Sequence, residues 1–132
     1  MRYIPPFERM KRFFRTSVGM DGVVRVGTSY EDLMHMIQAL FCAIEVDEAW
    51  YLQQNPDVAD GIRAGTIKSA KEHFLDHGYF EGRAPFLVTV DEAWYLATNP
   101  DVAEQVQLGR FESGQAHFNA SGYRDGRLPY PR

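Results

Sequence analysis

Two stretches of the chain decide its fold. Residues 46–86 read VDEAWYLQQNPDVADGIRAGTIKSAKEHFLDHGYFEGRAPF, and residues 90–130 read VDEAWYLATNPDVAEQVQLGRFESGQAHFNASGYRDGRLPY. Aligned at an offset of 44 residues without a gap, they are identical at 21 of 41 positions. Self-similarity at a fixed period is the signature of a repeat architecture. The sequence therefore predicts two tandem repeats, over residues 46–89 and 90–132.

Each repeat is predicted to contain three short helices. Asp47 or Asp91 precedes the first helix as its N-cap. This helix must end before the proline of the Asn-Pro-Asp motif, where the asparagine is expected in a left-handed turn and the proline begins the second helix. The third helix contains the histidine shared by both repeats. It is expected to end at Gly78 or Gly122, in the left-handed conformation that glycine adopts easily.

Residues 1–45 do not share the repeat pattern. Apolar residues predict a short helix within FERMKRFFR and a longer helix from Ser29 to about Ile44, so apolar that it must be widely buried. Val23–Val26 is rich in β-branched residues and indicates a short strand or extended arm. Cys42 lies on the longer helix and is expected to be a small core residue. The predicted fold is mainly α: a helical N-terminal cap with a short extended or β segment, followed by two three-helix repeats.

Composition excludes several classes of protein. The chain has 132 residues, of which 45% are hydrophobic and 24% are charged, as expected of a compact domain. A single cysteine excludes a disulfide framework and a zinc finger. The pI of about 5.5 argues against a nucleic-acid partner. Charges in the first 15 residues and the lack of a long apolar run predict a cytoplasmic protein, with peripheral contact to the inner membrane as an open alternative.

Charge is distributed unevenly along the chain. Residues 1–28 carry a net charge of +4, whereas the remainder carries −8. Basic and apolar side chains together typify an amphipathic docking segment. The predicted partner-binding residues are Phe7, Arg9, Met10, Arg12, Phe13, Phe14, Met36 and Leu40. An acidic protein surface, including that of a second copy, is favoured over an anionic membrane because the first helix spans only about two turns.

The repeats resemble a known family. The segments YLQQNPDVA and SAKEHFLDHGYFEGRAP, with their second copies, are similar to a short bacterial helical repeat of the form YLxxNPDV…HF…G…EGRxP. That repeat is often appended to glycosyltransferases, polysaccharide-synthesis proteins and large surface proteins. The resemblance covers residues 46–130. It implies a helical interaction module in an exopolysaccharide or cell-surface setting, with no catalytic role.

Four histidines raise the question of a metal site. His73 and His77 are four residues apart on one helix, but the second repeat has Ser121 four residues after His117. A metal site needs three or four convergent ligands, so neither a metal nor another cofactor is predicted. His73 and His117 are instead expected to be structural, each with a ring N–H bonded to a carbonyl or carboxylate. No arrangement of nucleophile, base or phosphate-binding loop predicts an enzyme.

A carbohydrate site is the alternative function. Tryptophan could stack on sugar rings while charged side chains bind hydroxyl groups. The candidate residues are duplicated in the repeats: Trp50, Asp57, Arg83, Trp94, Asp101 and Arg127. A structural role is favoured for this set, because aromatic residues can form each repeat's core and the arginines could reach an acidic residue of the adjacent repeat.

The leading functional prediction is a non-enzymatic scaffold or adaptor. Its repeats would bind a protein partner, which the sequence does not identify, and residues 1–45 would mediate self-association into a homo-oligomer. Two repeats are fewer than the three usually needed for independent stability, which also favours a cap or a second chain. A polysaccharide-binding module remains the alternative.

Overall fold

The computed structural model describes residues 3–132 and is mainly helical, with one small antiparallel sheet, as the sequence predicts. The chain divides into two compact units. The first, here called the N-terminal unit, ends at Glu45, and the second, the repeat unit, comprises Val46–Arg132. Each unit is described by itself.

The N-terminal unit combines short helices with a β-hairpin. Its elements are α1 (Phe7–Met10), a 3-10 turn (Lys11–Phe13), β1 (Arg15–Val18), β2 (Val24–Gly27) and α2 (Tyr30–Phe41). Ser29 caps α2 by accepting a hydrogen bond from the Asp32 N–H at 3.0 Å. Helix α2 ends before the predicted Ile44, and none of its residues is fully buried. Cys42 is exposed, so its predicted core role is wrong.

The hairpin has two chemically different faces. Strands β1 and β2 are antiparallel, with Thr16 opposite Val26 and Val18 opposite Val24. Because side chains alternate across a strand, these four residues share one face, here called the hairpin face. The opposite face carries arginine and serine side chains. Every residue of both strands is exposed, so the hairpin face is uncovered within the described chain.

Each repeat contains three helices, the third of which widens into a π-helical turn. The elements of repeat 1 are α3 (Glu48–Gln54), α4 (Pro56–Arg63), α5 (Ala70–His73) and the π turn (Phe74–Gly78). Those of repeat 2 are α6 (Glu92–Thr98), α7 (Pro100–Gln107), α8 (Gly114–His117) and the π turn (Phe118–Gly122). Asp47 and Asp91 cap the first helices, and proline begins the second, as predicted.

Two details of the predicted repeat are wrong. Gly78 and Gly122 are not left-handed, since positive φ occurs four residues later, at Gly82 (79°) and Gly126 (78°). The reason is the π turn, which ends at Gly78. The chain continues in a right-handed conformation after Gly78 and reverses its direction only at Gly82. No described residue other than glycine has positive φ, so the asparagines are not left-handed either; Asn55 has φ −127°.

The core of each repeat is small and separate. The side chains of Tyr51, Val58 and Phe74 are at most 1% exposed, and their counterparts in repeat 2 are at most 2% exposed. The Asp47 N–H also donates to the Pro85 carbonyl at 3.0 Å, and the second repeat has the equivalent bond. A backbone hydrogen bond therefore joins the start of each repeat to its end, as expected of units that stack in tandem.

Candidate interaction surface and inter-repeat cleft

A tyrosine and a histidine are bonded at the centre of each repeat. The Tyr51 hydroxyl lies 2.9 Å from His73 Nδ1, and the Tyr95 hydroxyl lies 3.0 Å from His117 Nδ1. Burial raises the pKa of Tyr51 to about 12 and lowers the pKa of both histidines. The histidines are structural, but their Nδ1 partner is a tyrosine hydroxyl and not the predicted carbonyl or carboxylate. A pair of neutral groups suits this dry location.

An arginine joins the end of each repeat to the start of its second helix. Arg83 donates to the Asn55 side-chain oxygen at 2.9 Å and to both Asp57 carboxylate oxygens at 3.0 and 2.9 Å. Hydrogen bonds from Arg83 hold the pKa of Asp57 below its usual value. Arg127 forms the same three bonds in repeat 2, with Asn99 and Asp101. We call each group a clamp.

The clamps correct one prediction and bear on the carbohydrate alternative. Each arginine binds its own repeat, not an acidic residue of the adjacent one, because the turn before it folds back onto the Asn-Pro-Asp motif. The Asp57, Arg83, Asp101 and Arg127 side chains therefore already hold the fold together. A sugar that took their hydrogen bonds would have to compete with a bidentate ion pair.

The two repeats together form a cleft of about 440 Å³. One wall comes from the end of α3 and the turn after the first π turn, and the other from the second π turn and the residues after it. The lining residues are Trp50, Gln54, Asn55, Glu81, Gly82, Arg83, Ala84, Val88, Phe118, Asn119, Ala120, Tyr123 and Arg124. Of the six predicted carbohydrate residues, Trp50 and Arg83 line this cleft, whereas Asp57, Trp94, Asp101 and Arg127 do not.

Sequence reasoning missed most of the cleft because it followed positions that are identical in the two repeats. Repeat 2 contributes Asn119 and Arg124, where repeat 1 has Leu75 and Phe80. A comparison of the polar differences between otherwise matching repeats could have identified these positions.

The predicted partner-binding residues of the N-terminal unit differ in exposure. Phe7 is 68% exposed and Leu40 40% exposed, but Met10 is only 5% exposed and is thus a core residue rather than a contact for a partner. The others are half-buried or exposed; they are Arg9, Arg12, Phe13, Phe14 and Met36. Sequence reasoning also missed the hairpin face, where Val18, Val24 and Val26 are each at least 60% exposed.

Within residues 3–132, no group of three or more His, Cys, Asp or Glu side chains is placed to hold a metal ion. None of the helices in that range has the length and apolar character needed to cross a membrane. Comparison of the chain with family models, curated proteins and solved structures gives no match.

Proposed function

We propose that the protein is a non-enzymatic scaffold that forms homo-oligomers through its N-terminal unit and displays its repeats to a protein partner. The observation that carries the proposal is the exposed hairpin face, which bears Val18, Val24 and Val26. An isolated two-stranded hairpin is marginally stable in water. Covering its apolar face removes that surface from water and stabilises the hairpin and the assembly together.

The proposed occupant of the hairpin face is the hairpin of a second copy. A two-fold axis places a surface against itself, so one apolar face suffices to cover another. The unlike net charges of residues 1–28 (+4) and of the rest of the chain (−8) attract two copies at long range and speed their encounter. In the contact itself the valines of the two hairpins meet, while Arg15 and Arg25 lie on the opposite faces.

The resemblance of the repeats supports a setting for this scaffold. We place it in a bacterial exopolysaccharide or cell-surface pathway, acting from the cytoplasm, with an unidentified protein as the partner of the repeats. The acidic net charge of −4 supports a protein partner over nucleic acid. Contact of the basic residues with an anionic membrane is the competing proposal.

Sedimentation equilibrium over a range of protein concentrations tests self-association directly. We expect the average mass to rise above the 15.1 kDa of one chain as concentration increases. A mass of one chain at every concentration up to high micromolar would overturn the proposed homo-oligomer. If that monomer binds anionic vesicles but not neutral ones, the membrane proposal replaces it.

Three variants locate the contact. The triple variant Val18→Thr, Val24→Thr and Val26→Thr keeps β-branched residues in the strands but removes apolar surface, so it should weaken association. Thr16→Val extends the same face and should strengthen association. Ser17→Thr lies on the opposite face and serves as the matched control. Equal association of all variants would contradict the hairpin face as the interface.

A further inference from the structure

The inter-repeat cleft combines an aromatic wall with polar side chains. Trp50, from α3, is half-buried and lines the cleft on the side of repeat 1, and Tyr123 lines it on the side of repeat 2. The volume of about 440 Å³ falls within the range of pockets that hold small molecules. An indole presents a large flat apolar surface with a single N–H at its edge, which suits ligands with one apolar and one polar side.

Two polar side chains in the lining are available to a ligand. Gln54 and Arg124 are exposed, and neither side chain forms a hydrogen bond or ion pair with any residue in the described range 3–132. By contrast, Arg83 and Glu81 are bonded to each other at 2.7 Å, and Asn119 accepts a hydrogen bond from Gln115. A ligand that bonded to Gln54 and Arg124 would therefore leave the interactions of the fold intact.

We propose that the cleft binds a saccharide, with one pyranose ring stacked on Trp50 and its hydroxyl groups bonded to Gln54 and Arg124. A pyranose ring has apolar C–H faces and a polar edge, which match an indole face next to an amide and a guanidinium. The side chain of Arg124 lies directly against Gly82. The methylene groups of Arg124 make this approach, and the side chain lines the cleft.

The lining disfavours other classes of ligand. A polyphosphate needs several cations, but Arg83 is already paired with Asp57 and Glu81, which leaves Arg124 as the unpaired cation among the lining residues. An extended peptide that adds a strand needs a sheet edge, and the described repeat unit, Val46–Arg132, contains no strand. The saccharide proposal stands independently of the proposed scaffold, because all the residues it uses lie in the repeat unit.

Arg124 also predicts which saccharides bind better. A guanidinium forms bidentate hydrogen bonds with a carboxylate, so a uronic acid should bind more tightly than a neutral sugar of the same size. The ion pair is exposed to solvent, which limits the gain to about threefold in affinity.

Tryptophan fluorescence provides the first test, because the chain has two tryptophans at equivalent positions of the repeats. In the Trp94→Phe variant only Trp50 reports, and its emission should shift and saturate on titration with tetragalacturonate or cellotetraose in the millimolar range. In the matched Trp50→Phe variant, Trp94 should not respond, because it lies outside the cleft. Absence of a response from Trp50 to both sugars, with no heat of binding by calorimetry, would overturn the proposal.

Side-chain variants test the assigned contacts. Gln54→Ala should weaken the binding of both sugars, whereas Thr98→Ala, at the equivalent position of repeat 2, should weaken the binding of neither. Arg124→Gln should abolish the preference for the uronate and largely retain binding of the neutral sugar. The three residues substituted here are exposed, so circular dichroism should show an unchanged fold. Wild-type affinity in Gln54→Ala and Arg124→Gln would contradict the site.

Discussion

The two repeats have the same interior but differ in side chains at the start of their third helix. Both contain the tyrosine–histidine bond, the clamp and the bond that closes the repeat. In repeat 2, the Gln115 side chain also accepts from the Val90 N–H and donates to the Val88 carbonyl, each at 2.9 Å. Repeat 1 has Lys71 at the position of Gln115. Residues that are identical in the two repeats thus form the core and the clamp of each repeat. A residue that differs, Gln115, forms the additional bonds to Val88 and Val90.

A second difference involves the glutamate in the first helix. Glu92 accepts hydrogen bonds from the backbone N–H groups of Gly114 and Gln115, at the start of α8. The equivalent Glu48 in repeat 1 is exposed. Local context, and not the identity of the residue, therefore decides whether this carboxylate stabilises a helix N-terminus. Substitutions at matching positions of the repeats can separate what is intrinsic to the unit from what context adds.

The largest predicted loss of stability follows from adding a methyl group to Gly78 or Gly122. A Cβ at either position would collide with the hydroxyl of Tyr51 or Tyr95, so Gly78→Ala and Gly122→Ala should each cost about 2 to 3 kcal/mol by overpacking. Urea denaturation measures the change in the free energy of unfolding.

Two controls identify the collision as the cause. Gly109→Ala introduces a methyl group into open space at a φ of 74°, and should cost about 1 kcal/mol through backbone strain alone. Combining Gly78→Ala with Tyr51→Phe removes the colliding oxygen, so the two losses should not add. A cost for Gly78→Ala no greater than that for Gly109→Ala would refute the explanation.

The tyrosine hydroxyls should have the next largest effect. Tyr51→Phe and Tyr95→Phe each leave a buried histidine nitrogen without its partner, at a cost of about 1 to 3 kcal/mol. The loss should be similar in the two repeats, because the Ser121 hydroxyl in repeat 2 lies 3.3 Å from the other ring nitrogen, His117 Nε2, and does not replace the lost partner of Nδ1. Tyr130→Phe, at an exposed position, is the control in the same denaturation experiment.

The sequence predicts the repeats well because their determinants are local. An aspartate cap, a proline at the start of a helix and identical spacing can be read from neighbouring residues. The π turn cannot be read in this way, since its glycine is required by a tyrosine 27 residues earlier, Tyr51 for Gly78. The arginine of each clamp likewise reaches 26 residues back to its aspartate. Interactions over such distances decide the fold of the turn and the composition of the cleft.

A fall in pH should lower the free energy of unfolding of the repeats in two stages. Burial holds the pKa of His73 and His117 below the ordinary value of 6.5, so the unfolded chain takes up protons first as the pH falls. Their stabilising contribution is complete above pH 6.5 and is lost as the pH falls through the pKa of the folded state. The second stage involves Asp57 and Asp101, whose pKa values are lowered by the clamp arginines from the usual 3.8.

The aspartate contribution is present above pH 3.8 and is lost as the pH falls through the lowered pKa. Urea midpoints measured from pH 8 to pH 3 should therefore decline first below about 6.5 and again below about 3.8. The double variant Asp57→Asn and Asp101→Asn should remove only the second decline. A stability that does not change between pH 7 and pH 5 would contradict the role assigned to the histidines.

The clamps should contribute less than the buried bonds because they are partly exposed. Arg83→Lys and Arg127→Lys keep the charge but lose the bidentate geometry, at a cost of about 0.5 to 1 kcal/mol. Arg83 should matter more, since it also bonds to Glu81. Thermal unfolding in low and high salt measures both effects, and the difference from wild type should shrink in high salt. Equal stability of the lysine variants and wild type at low salt would show that the clamps are dispensable.

The smallest effect should come from exchanging the residues that follow the two histidines by one helical turn. His77→Ser and Ser121→His make each repeat like the other at this position. Because His77 is exposed and the bond from Ser121 to His117 is long, at 3.3 Å, each exchange should change the free energy of unfolding by less than about 0.5 kcal/mol.

The same exchange tests whether the histidines bind a metal ion, since Ser121→His gives repeat 2 the same pair of histidines four residues apart as repeat 1. A chelator should leave the melting temperature of the wild type and of both variants unchanged, because two imidazoles fall short of the three or four ligands that hold zinc. A melting temperature that falls with chelator and recovers with zinc in wild type, but not in His77→Ser, would instead assign His73 and His77 to a metal site.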